Sequence, residues 1–229
     1  QGDRLRTDDA GSGGGSNANA DLREKGDGDD TIDGGSHDDV ISGGAGTDTV
    51  DYSGFGSGVT VNLATGTATD GGGGTDTLSG IENVLGTGAA DNITGDDADN
   101  VLTGNAGNDI LSGGGGDDTL YGGAGNDTLT GGTGDDLFQG GSGNDNMDGG
   151  AGTDTVTYDG AANGVTVNLA TGTATAGVGD TDTLTSIENI IGSSNGDTFT
   201  GNGSVNEFTG GDGSDRFIMG EGGTMDTVH

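Results

Sequence analysis

The sequence lacks several residue types on which common protein classes depend. It has no cysteine, which excludes a disulfide framework, a thiolate metal site and a cysteine nucleophile. It has no proline beside 57 glycines, which argues against collagen and against a proline-rich linker. Only five Lys and Arg stand against 39 Asp and Glu, for a formal net charge of -34. Such a charge repels phosphate backbones and anionic head groups, so nucleic acid and lipid head groups are poor partner candidates.

Apolar residues are also scarce. Leu, Ile, Val and Phe number 38 in 229 residues, and no apolar run approaches the roughly 20 residues that span a bilayer. Membrane insertion is therefore not expected, and the start at Gln1 without a basic-then-apolar leader predicts a soluble fragment or processed product. Chains of this composition normally stay disordered, because burial does not offset the entropy of ordering. Any fold must depend on where the glycines are placed.

A nine-residue repeat runs through much of the sequence. Residues 104–157 divide into six consecutive nonapeptides of the form G-x-x-G-x-D-x-apolar-x. Two weaker repeats begin at Gly86 and Gly95. A block of three repeats starts at Lys25, and another block of three starts at Gly192. The eighth position is apolar in all 14 repeats: Ile32, Ile41, Val50, Ile93, Leu102, Leu111, Leu120, Leu129, Phe138, Met147, Val156, Phe199, Phe208 and Phe217.

The sixth position is equally regular. It is Asp in 12 of the 14 repeats, and the exceptions are Asn100 and Asn206. A disordered polar linker needs neither an apolar column nor a fixed phase. This alternative is therefore disfavoured when a cation such as calcium compensates the charges, and is much less so when none does. Asp226 and Val228 keep a repeat-like phase at the end of the chain.

A longer duplication contains the repeats. Residues 43–112 align with residues 149–218 at a constant offset of 106. In each copy one segment interrupts the nonapeptides, and in the first of them Val59, Val61 and Leu63 alternate with polar residues as in a half-buried strand. The sequence thus predicts a flexible linker or cap (1–24), three β-roll blocks (25–51, 86–157 and 192–229) and two longer interrupting β coils (52–85 and 158–191).

The repeat length predicts an all-β parallel β-roll, or β-solenoid. Nine residues have room for one short strand of about three residues and one turn, with the eighth residue facing inward. Successive repeats would alternate between two parallel sheets, with two repeats in each coil and a rise of about 4.8 Å per coil. Glycines at the first, second and fourth positions allow left-handed backbone and close stacking of the turns.

The acidic column predicts a bound cation. Sixth-position carboxylates would lie in files, one every ~5 Å, and like charges at that spacing drive the coils apart unless a cation lies between them. Carboxylates and backbone carbonyls form an all-oxygen site, which suits calcium better than zinc, copper or magnesium. The alternative is a solvated acidic face, which would not keep phase with the glycines.

These repeats resemble the haemolysin-type calcium-binding repeat, G-G-x-G-x-D-x-apolar-x, of the repeats-in-toxin family. The resemblance implies that each calcium is held by turn carbonyls and by two aspartates that lie two repeats apart. It implies full sites at Asp109 with Asp127, Asp118 with Asp136, Asp127 with Asp145, Asp136 with Asp154, and Asp30 with Asp48. Further candidate ligands are Asp39, Asp215 and the fourth-position carbonyls of Gly107, Gly116, Gly125, Gly134, Gly143 and Gly152. Poorer sites are expected where His37, Ala89, Ala98, Asn195 or Ser204 replaces that glycine.

No enzyme is predicted from this sequence. Gly192 to Gly196 spells G-x-S-x-G, but that motif needs a strand-turn-helix setting and a histidine base, and the two histidines are His37 and His229. The resemblance implies an extracellular calcium module of a larger type I secreted or surface protein, with the parent polypeptide and a surface or matrix assembly as partners. The alternatives are the non-catalytic tail of an enzyme or toxin and a carbohydrate-contacting adhesin segment. An ice-binding face is disfavoured because the third positions do not form a file of threonines.

Overall fold

The structure is a computed structural model, which describes residues 4–5, 22–24, 26–220 and 226–229. The described residues contain no helix, and therefore none long and apolar enough to cross a membrane. They form 25 short strands: β1 (Arg4–Leu5), β2 (Leu22–Glu24), β3 (Thr31–Ile32), β4 (Val40–Ser42), β5 (Thr49–Asp51), β6 (Thr60–Asn62), β7 (Thr67–Thr69), β8 (Thr75–Ser79), β9 (Asn83–Leu85), β10 (Asn92–Thr94), β11 (Val101–Ala106), β12 (Ile110–Gly115), β13 (Thr119–Ala124), β14 (Thr128–Thr133), β15 (Leu137–Ser142), β16 (Asn146–Ala151), β17 (Thr155–Thr157), β18 (Thr166–Asn168), β19 (Thr173–Gly177), β20 (Asp180–Thr185), β21 (Asn189–Ile191), β22 (Thr198–Thr200), β23 (Glu207–Thr209), β24 (Arg216–Ile218) and β25 (Thr227–Val228).

The strands form two sheets, and consecutive nonapeptides alternate between them. Sheet A has the order β1-β3-β5-β9-β11-β13-β15-β17-β21-β23-β25, and all its pairings are parallel. Sheet B has the order β2-β4-β8-β7-β6-β10-β12-β14-β16-β20-β19-β18-β22-β24. Paired strands of the central block are 18 residues apart, as in Leu111 opposite Leu129, so two repeats make one coil. The predicted all-β parallel β-roll is confirmed.

Strands in the central block are longer than the repeat length suggests. The prediction of about three residues is wrong there, since β11 to β16 each have six residues. Each strand continues through the next repeat's second and third positions, where Gly114 lies opposite Gly132 and Gly115 opposite Thr133. Small residues let these backbones approach closely enough to pair. Strands of the weaker repeats, such as β10 and β23, keep three residues.

In the nonapeptide blocks the core is a narrow layer formed by the eighth-position side chains of both sheets. Thirteen of the fourteen eighth-position residues are at most 1% exposed, and Phe217 is partly buried against them. Toward the C-terminal end the column becomes aromatic, with ring centroids of Phe199 and Phe208 5.8 Å apart and those of Phe199 and Phe217 5.7 Å apart. Parallel strands with this alternation place one residue in every nine in the core, so hydrophobic burial per residue is small.

Each interruption adds an antiparallel meander to sheet B. In the first copy β6, β7 and β8 pair antiparallel in succession, and β18, β19 and β20 repeat this arrangement. The predicted strand exists, because Val59, Val61 and Leu63 are buried around β6, but its antiparallel pairing was not foreseen. Sheet A passes directly from β5 to β9 at the same level. Sheet B is therefore longer there by two strands, roughly 10 Å at the usual strand spacing.

Both predicted ends contribute strands. In the segment predicted as a linker or cap, β1 pairs with β3 and β2 pairs with β4, and the rest of that segment lies outside the described residues. At the other end β25 pairs with β23, with Phe208 opposite Val228. The two sheets thus extend beyond the complete nonapeptides.

Candidate metal centres

The turns of the roll place the sixth-position side chains in two files, one at each edge. We define the A file as those that lead into sheet A and the B file as those that lead into sheet B. The A file is Asp30, Asp48, Asn100, Asp118, Asp136, Asp154 and Asn206. The B file is Asp39, Asp91, Asp109, Asp127, Asp145, Asp197 and Asp215.

Within an uninterrupted run of repeats, neighbours in a file are joined by a direct hydrogen bond. The backbone N–H of Asp109 donates to Oδ1 of Asp127 at 2.8 Å, and that of Asp127 donates to Oδ1 of Asp145 at 2.9 Å. In the A file the backbone N–H of Asp118 donates to Asp136 at 2.8 Å, and the same bonds join Asp136 to Asp154 and Asp30 to Asp48. The structure therefore brings together the members of all five aspartate pairs. Asp215 accepts from the N–H of Asp197 at 2.9 Å.

The second oxygen of these carboxylates is buried without a hydrogen-bond partner. This holds for Oδ2 of seven aspartates, each at most 2% exposed: Asp48, Asp109, Asp118, Asp127, Asp136, Asp145 and Asp154. In a repeat such as Gly122 to Thr130, a Cβ on the first-position Gly122 would overlap Oδ2 of Asp127. Glycine is needed there to leave room for the carboxylate. A buried polar atom without a hydrogen-bond partner costs free energy, so these oxygens are placed to bind a cation.

Fourth-position glycines form a second column beside the carboxylates. Gly107, Gly125 and Gly143 have φ of +133°, +144° and +128°, a region that L side chains rarely adopt. A Cβ on Gly125 would overlap the carbonyl oxygen of Gly107, and one on Gly143 would overlap the carbonyl oxygen of Gly125. Gly116, Gly134 and Gly152 repeat this stacking at the other edge. The predicted carbonyl ligands thus lie in the turns that hold the aspartates.

The surroundings of the carboxylates oppose their negative charge. Burial, together with a smaller contribution from neighbouring carboxylates, raises the pKa of Asp118 and Asp145 to about 7 and that of Asp109 and Asp154 to about 6. The N–H donated to Oδ1 acts in the opposite direction but is outweighed. A divalent cation beside Oδ2 would reverse the effect of burial, because it favours the charged carboxylate.

The donor set fits calcium. All groups in a turn are oxygens, from aspartate and from the glycine backbone, and hard cations such as calcium take six to eight such ligands. Within the described part of the chain, no group of three or more Asp, Glu or His side chains could hold one ion. A cation in a turn would therefore use two carboxylates together with backbone carbonyls.

Comparison with protein families agrees with this geometry. Residues 26–52, 85–120 and 121–156 match the RTX calcium-binding nonapeptide repeat, in four copies. The chain carries RTX calcium-binding nonapeptide repeats. No curated protein gives a significant match to the sequence. RTX repeats are structural calcium-binding units, and the resemblance stated from the G-G-x-G-x-D pattern is confirmed.

Each interruption continues both RTX files with carboxylates that the sequence analysis missed. The backbone N–H of Asp39 donates to Oδ1 of Asp76 at 3.0 Å, and that of Asp48 donates to Oε2 of Glu82 at 2.8 Å. In the second copy Asp182 and Glu188 occupy the same places, at 3.1 and 3.0 Å from the N–H groups of Asp145 and Asp154. A signal was present: Gly71 to Ser79 spells the complete nonapeptide pattern, and Ile81 to Val84 has its fifth-to-eighth residues with Glu at the sixth position.

A buried tyrosine binds the carboxylate in each interruption. Tyr52 leaves sheet A after β5, is 1% exposed, and donates its hydroxyl to Oδ2 of Asp76 at 2.9 Å. Tyr158 donates in the same way to Asp182 at 2.9 Å. Burial raises the pKa of both tyrosines and raises that of Asp76 and Asp182 to about 6. In each interruption the tyrosine hydroxyl therefore donates a hydrogen bond to Oδ2, the oxygen that has no hydrogen-bond partner in seven of the RTX turns.

Removing one of these hydroxyls is expected to destabilise the folded roll. Tyr158→Phe leaves Oδ2 of Asp182 without a donor in a buried site, which costs about 1–3 kcal/mol. Thermal unfolding in saturating calcium measures this as a lower melting temperature, and Tyr52→Phe should give a similar loss. Tyr121→Phe, on the half-buried face of β13, is the control. Equal melting temperatures for Tyr158→Phe and Tyr121→Phe would contradict the assigned hydrogen bond.

Proposed function

We propose that this chain is a structural module that binds several calcium ions, and that it folds on calcium outside the cell as part of a larger type I secreted or surface protein. One observation carries the proposal: seven buried Oδ2 atoms without a hydrogen-bond partner, held in register along two files. The ligand pairs are those joined within a file, such as Asp109 with Asp127 and Asp118 with Asp136.

Calcium availability supports the extracellular assignment. Extracellular calcium modules have dissociation constants of roughly 0.1 to 1 mM, so such sites are filled outside cells and empty in the cytosol. With the sites empty, a net charge of -34 opposes compaction. A chain that stays open before export and folds after it suits a type I secretion channel, which the RTX resemblance implies.

We assign no catalytic role to this region. Ser194, the central serine of the G-x-S-x-G spelling, is an exposed residue in the turn between β21 and β22, away from the strand-to-helix setting that a nucleophile elbow requires. Any activity of the parent protein would then reside in other domains, whether the parent is an enzyme, a toxin or an adhesin. Turnover of a substrate by this chain alone would contradict the assignment.

Substitution of shared ligands tests the proposal. Asp127→Ala and Asp136→Ala each remove a carboxylate from two neighbouring sites, so the calcium midpoint of folding should rise roughly three- to tenfold in each variant. Circular dichroism during a calcium titration gives this midpoint. Asp159→Ala removes the same charge from an exposed turn and should leave the midpoint unchanged. If all three variants titrate like the wild-type chain, the ligand assignment is wrong.

A further inference from the structure

Thirteen of the 14 turns that precede sixth-position residues fall into two classes, which differ at the second position of the repeat. Four turns are closed by a hydrogen bond from the second-position N–H to the sixth-position side chain, and we call them latched turns. The bonds are Thr87 N–H to Asp91 Oδ2 at 2.7 Å, Asp96 N–H to Asn100 Oδ1 at 2.8 Å, Ser193 N–H to Asp197 Oδ2 at 2.9 Å, and Asn202 N–H to Asn206 Oδ1 at 2.9 Å.

The second class has a left-handed residue at that position, and we call its members open turns. The seven buried Oδ2 atoms without a hydrogen-bond partner all belong to such turns. The second-position residues of these seven turns have φ between +74° and +119°: Gly44, Asn105, Gly114, Gly123, Gly132, Gly141 and Gly150. Gly35 and Gly211, at +87° and +86°, give the turns before Asp39 and Asp215 the same conformation. The second-position residue of a latched turn does not have positive φ, which holds for Thr87, Asp96, Ser193 and Asn202. The sign of φ thus separates the two classes.

Backbone geometry explains this correspondence. The sign of φ at the second position sets how the peptide plane that carries its N–H is turned relative to the rest of the turn. With negative φ the N–H reaches the sixth-position side chain of its own repeat. In seven turns with positive φ this bond is not made, and Oδ2 is buried without a hydrogen-bond partner. Glycine favours the second arrangement, and Thr, Asp or Ser favours the first.

The latched turns satisfy their remaining polar atoms as well. The hydroxyl of Thr87 donates to Oδ1 of Asp91 at 2.9 Å, and that of Ser193 donates to Oδ1 of Asp197 at 2.9 Å. In the other two turns the side-chain Nδ2 of Asn100 donates to the carbonyl oxygen of Glu82 at 2.8 Å. Nδ2 of Asn206 donates to that of Glu188 at 2.9 Å. In these two turns the asparagine amide thus donates to the backbone carbonyl of the neighbouring glutamate in the A file, and the asparagine brings no negative charge into the turn.

We propose that the second-position residue determines which turns take calcium, and that the four latched turns are closed without metal. This inference rests on the proposed calcium binding by the open turns. Its consequence is a division of the roll: ions occupy the open turns, and the latched turns beginning at Gly86, Gly95, Gly192 and Gly201 are internally bonded segments. Each pair of latched turns directly follows an interruption, so the β-roll resumes there without needing an ion.

Opening a latched turn should create a calcium site. Thr87→Gly with Ala89→Gly gives the first latched turn glycine at its second and fourth positions, as in the open turns. Equilibrium dialysis with radioactive calcium at saturation should then count about one more ion per chain than in wild type. Ala64→Gly with Thr65→Gly, in the exposed turn between β6 and β7, adds the same flexibility away from the files and should leave the count unchanged.

A conservative substitution tests the same idea without altering the backbone. Asp91→Asn keeps an oxygen for the Thr87 N–H but replaces the oxygen that accepts from the Val59 N–H, so stability should fall while the ion count of the folded chain stays at the wild-type value. Asp109→Asn in an open turn should lower the count. If Asp91→Asn reduces the count as Asp109→Asn does, or if the folded Thr87→Gly/Ala89→Gly variant binds no additional ion, the latch does not control calcium. Absence of calcium binding by the wild-type chain would instead refute the proposed function.

Discussion

Removal of calcium is expected to convert the roll into an expanded chain with little strand content. Two features of the fold predict this result. In the nonapeptide blocks the core is a narrow layer of apolar side chains between two sheets, and it lies between files in which seven buried carboxylates have a second oxygen without a hydrogen-bond partner. Without a cation each of those oxygens opposes burial, and a formal charge of -34 adds repulsion between the coils. The hydrophobic column alone does not offset both costs.

Circular dichroism and small-angle scattering measure this transition directly. In chelator the strand signal should be lost, and the radius of gyration should approach about 50 Å, the value for an unfolded chain of this length. Millimolar calcium should restore the folded signal. Magnesium at the same concentration should restore less, because it demands octahedral geometry and keeps its waters. Equal strand content in chelator and in calcium would show that the core folds by itself.

Added salt distinguishes the cost of burying unpaired carboxylate oxygens from the cost of repulsion between surface charges. Sodium chloride at about 1 M reduces the Debye length to about 3 Å, which screens repulsion among exposed carboxylates such as those of Asp97 and Asp159. It supplies no ligand to the buried Oδ2 of Asp127 or Asp136. Salt without calcium should therefore restore little strand content. Full folding in salt alone would mean that surface charge, rather than the buried files, prevents folding of the metal-free chain.

The fold could be predicted from the sequence wherever a column repeats strictly. The apolar eighth position placed residues such as Leu120 and Phe138 in the core, and the nine-residue phase required parallel strands two repeats apart. The interruptions were less predictable, since the alternation of Val59, Val61 and Leu63 indicates a strand but not the direction of its partner. Direction there is set by the tight connection from β6 to β7, which returns the chain antiparallel.

The pairing of aspartates two repeats apart was predictable from the sequence, and the hydrogen bonds within each turn were not. Asp76 and Asp182 escaped notice because they lie in the segments interpreted as interrupting coils, although Gly71 to Gly74 precede Asp76 and both Leu78 and Leu184 keep the apolar column. The difference between latched and open turns depends on the sign of φ at one residue. Sequence gives no direct measure of that angle when Asn105, a non-glycine residue, has φ of +74°.

Acidification of the calcium-free chain is expected to promote folding, through the same buried oxygens. Burial raises the pKa of Asp109 and Asp154 to about 6 and that of Asp118 and Asp145 to about 7, against about 3.9 for an exposed aspartate. Near pH 5 the folded state therefore binds protons that the unfolded state releases. Stability linked to these groups is fully present below the unfolded pKa and is lost as pH rises through 6 to 7. Strand content without metal should thus increase from pH 8 to pH 5.5.

Circular dichroism in calcium-free buffer tests the sign of this dependence, and the range stays above the isoelectric point of about 4.1, where precipitation would interfere. Asp118→Asn with Asp145→Asn removes two of the groups with the highest pKa, so strand content of this variant should change less with pH. Protons and calcium also compete for Oδ2, which predicts a higher calcium midpoint at pH 5.5 than at pH 7.5 in the wild-type chain. A strand signal that falls on acidification, or a calcium midpoint independent of pH, would mean that these carboxylates are not the groups on which folding depends.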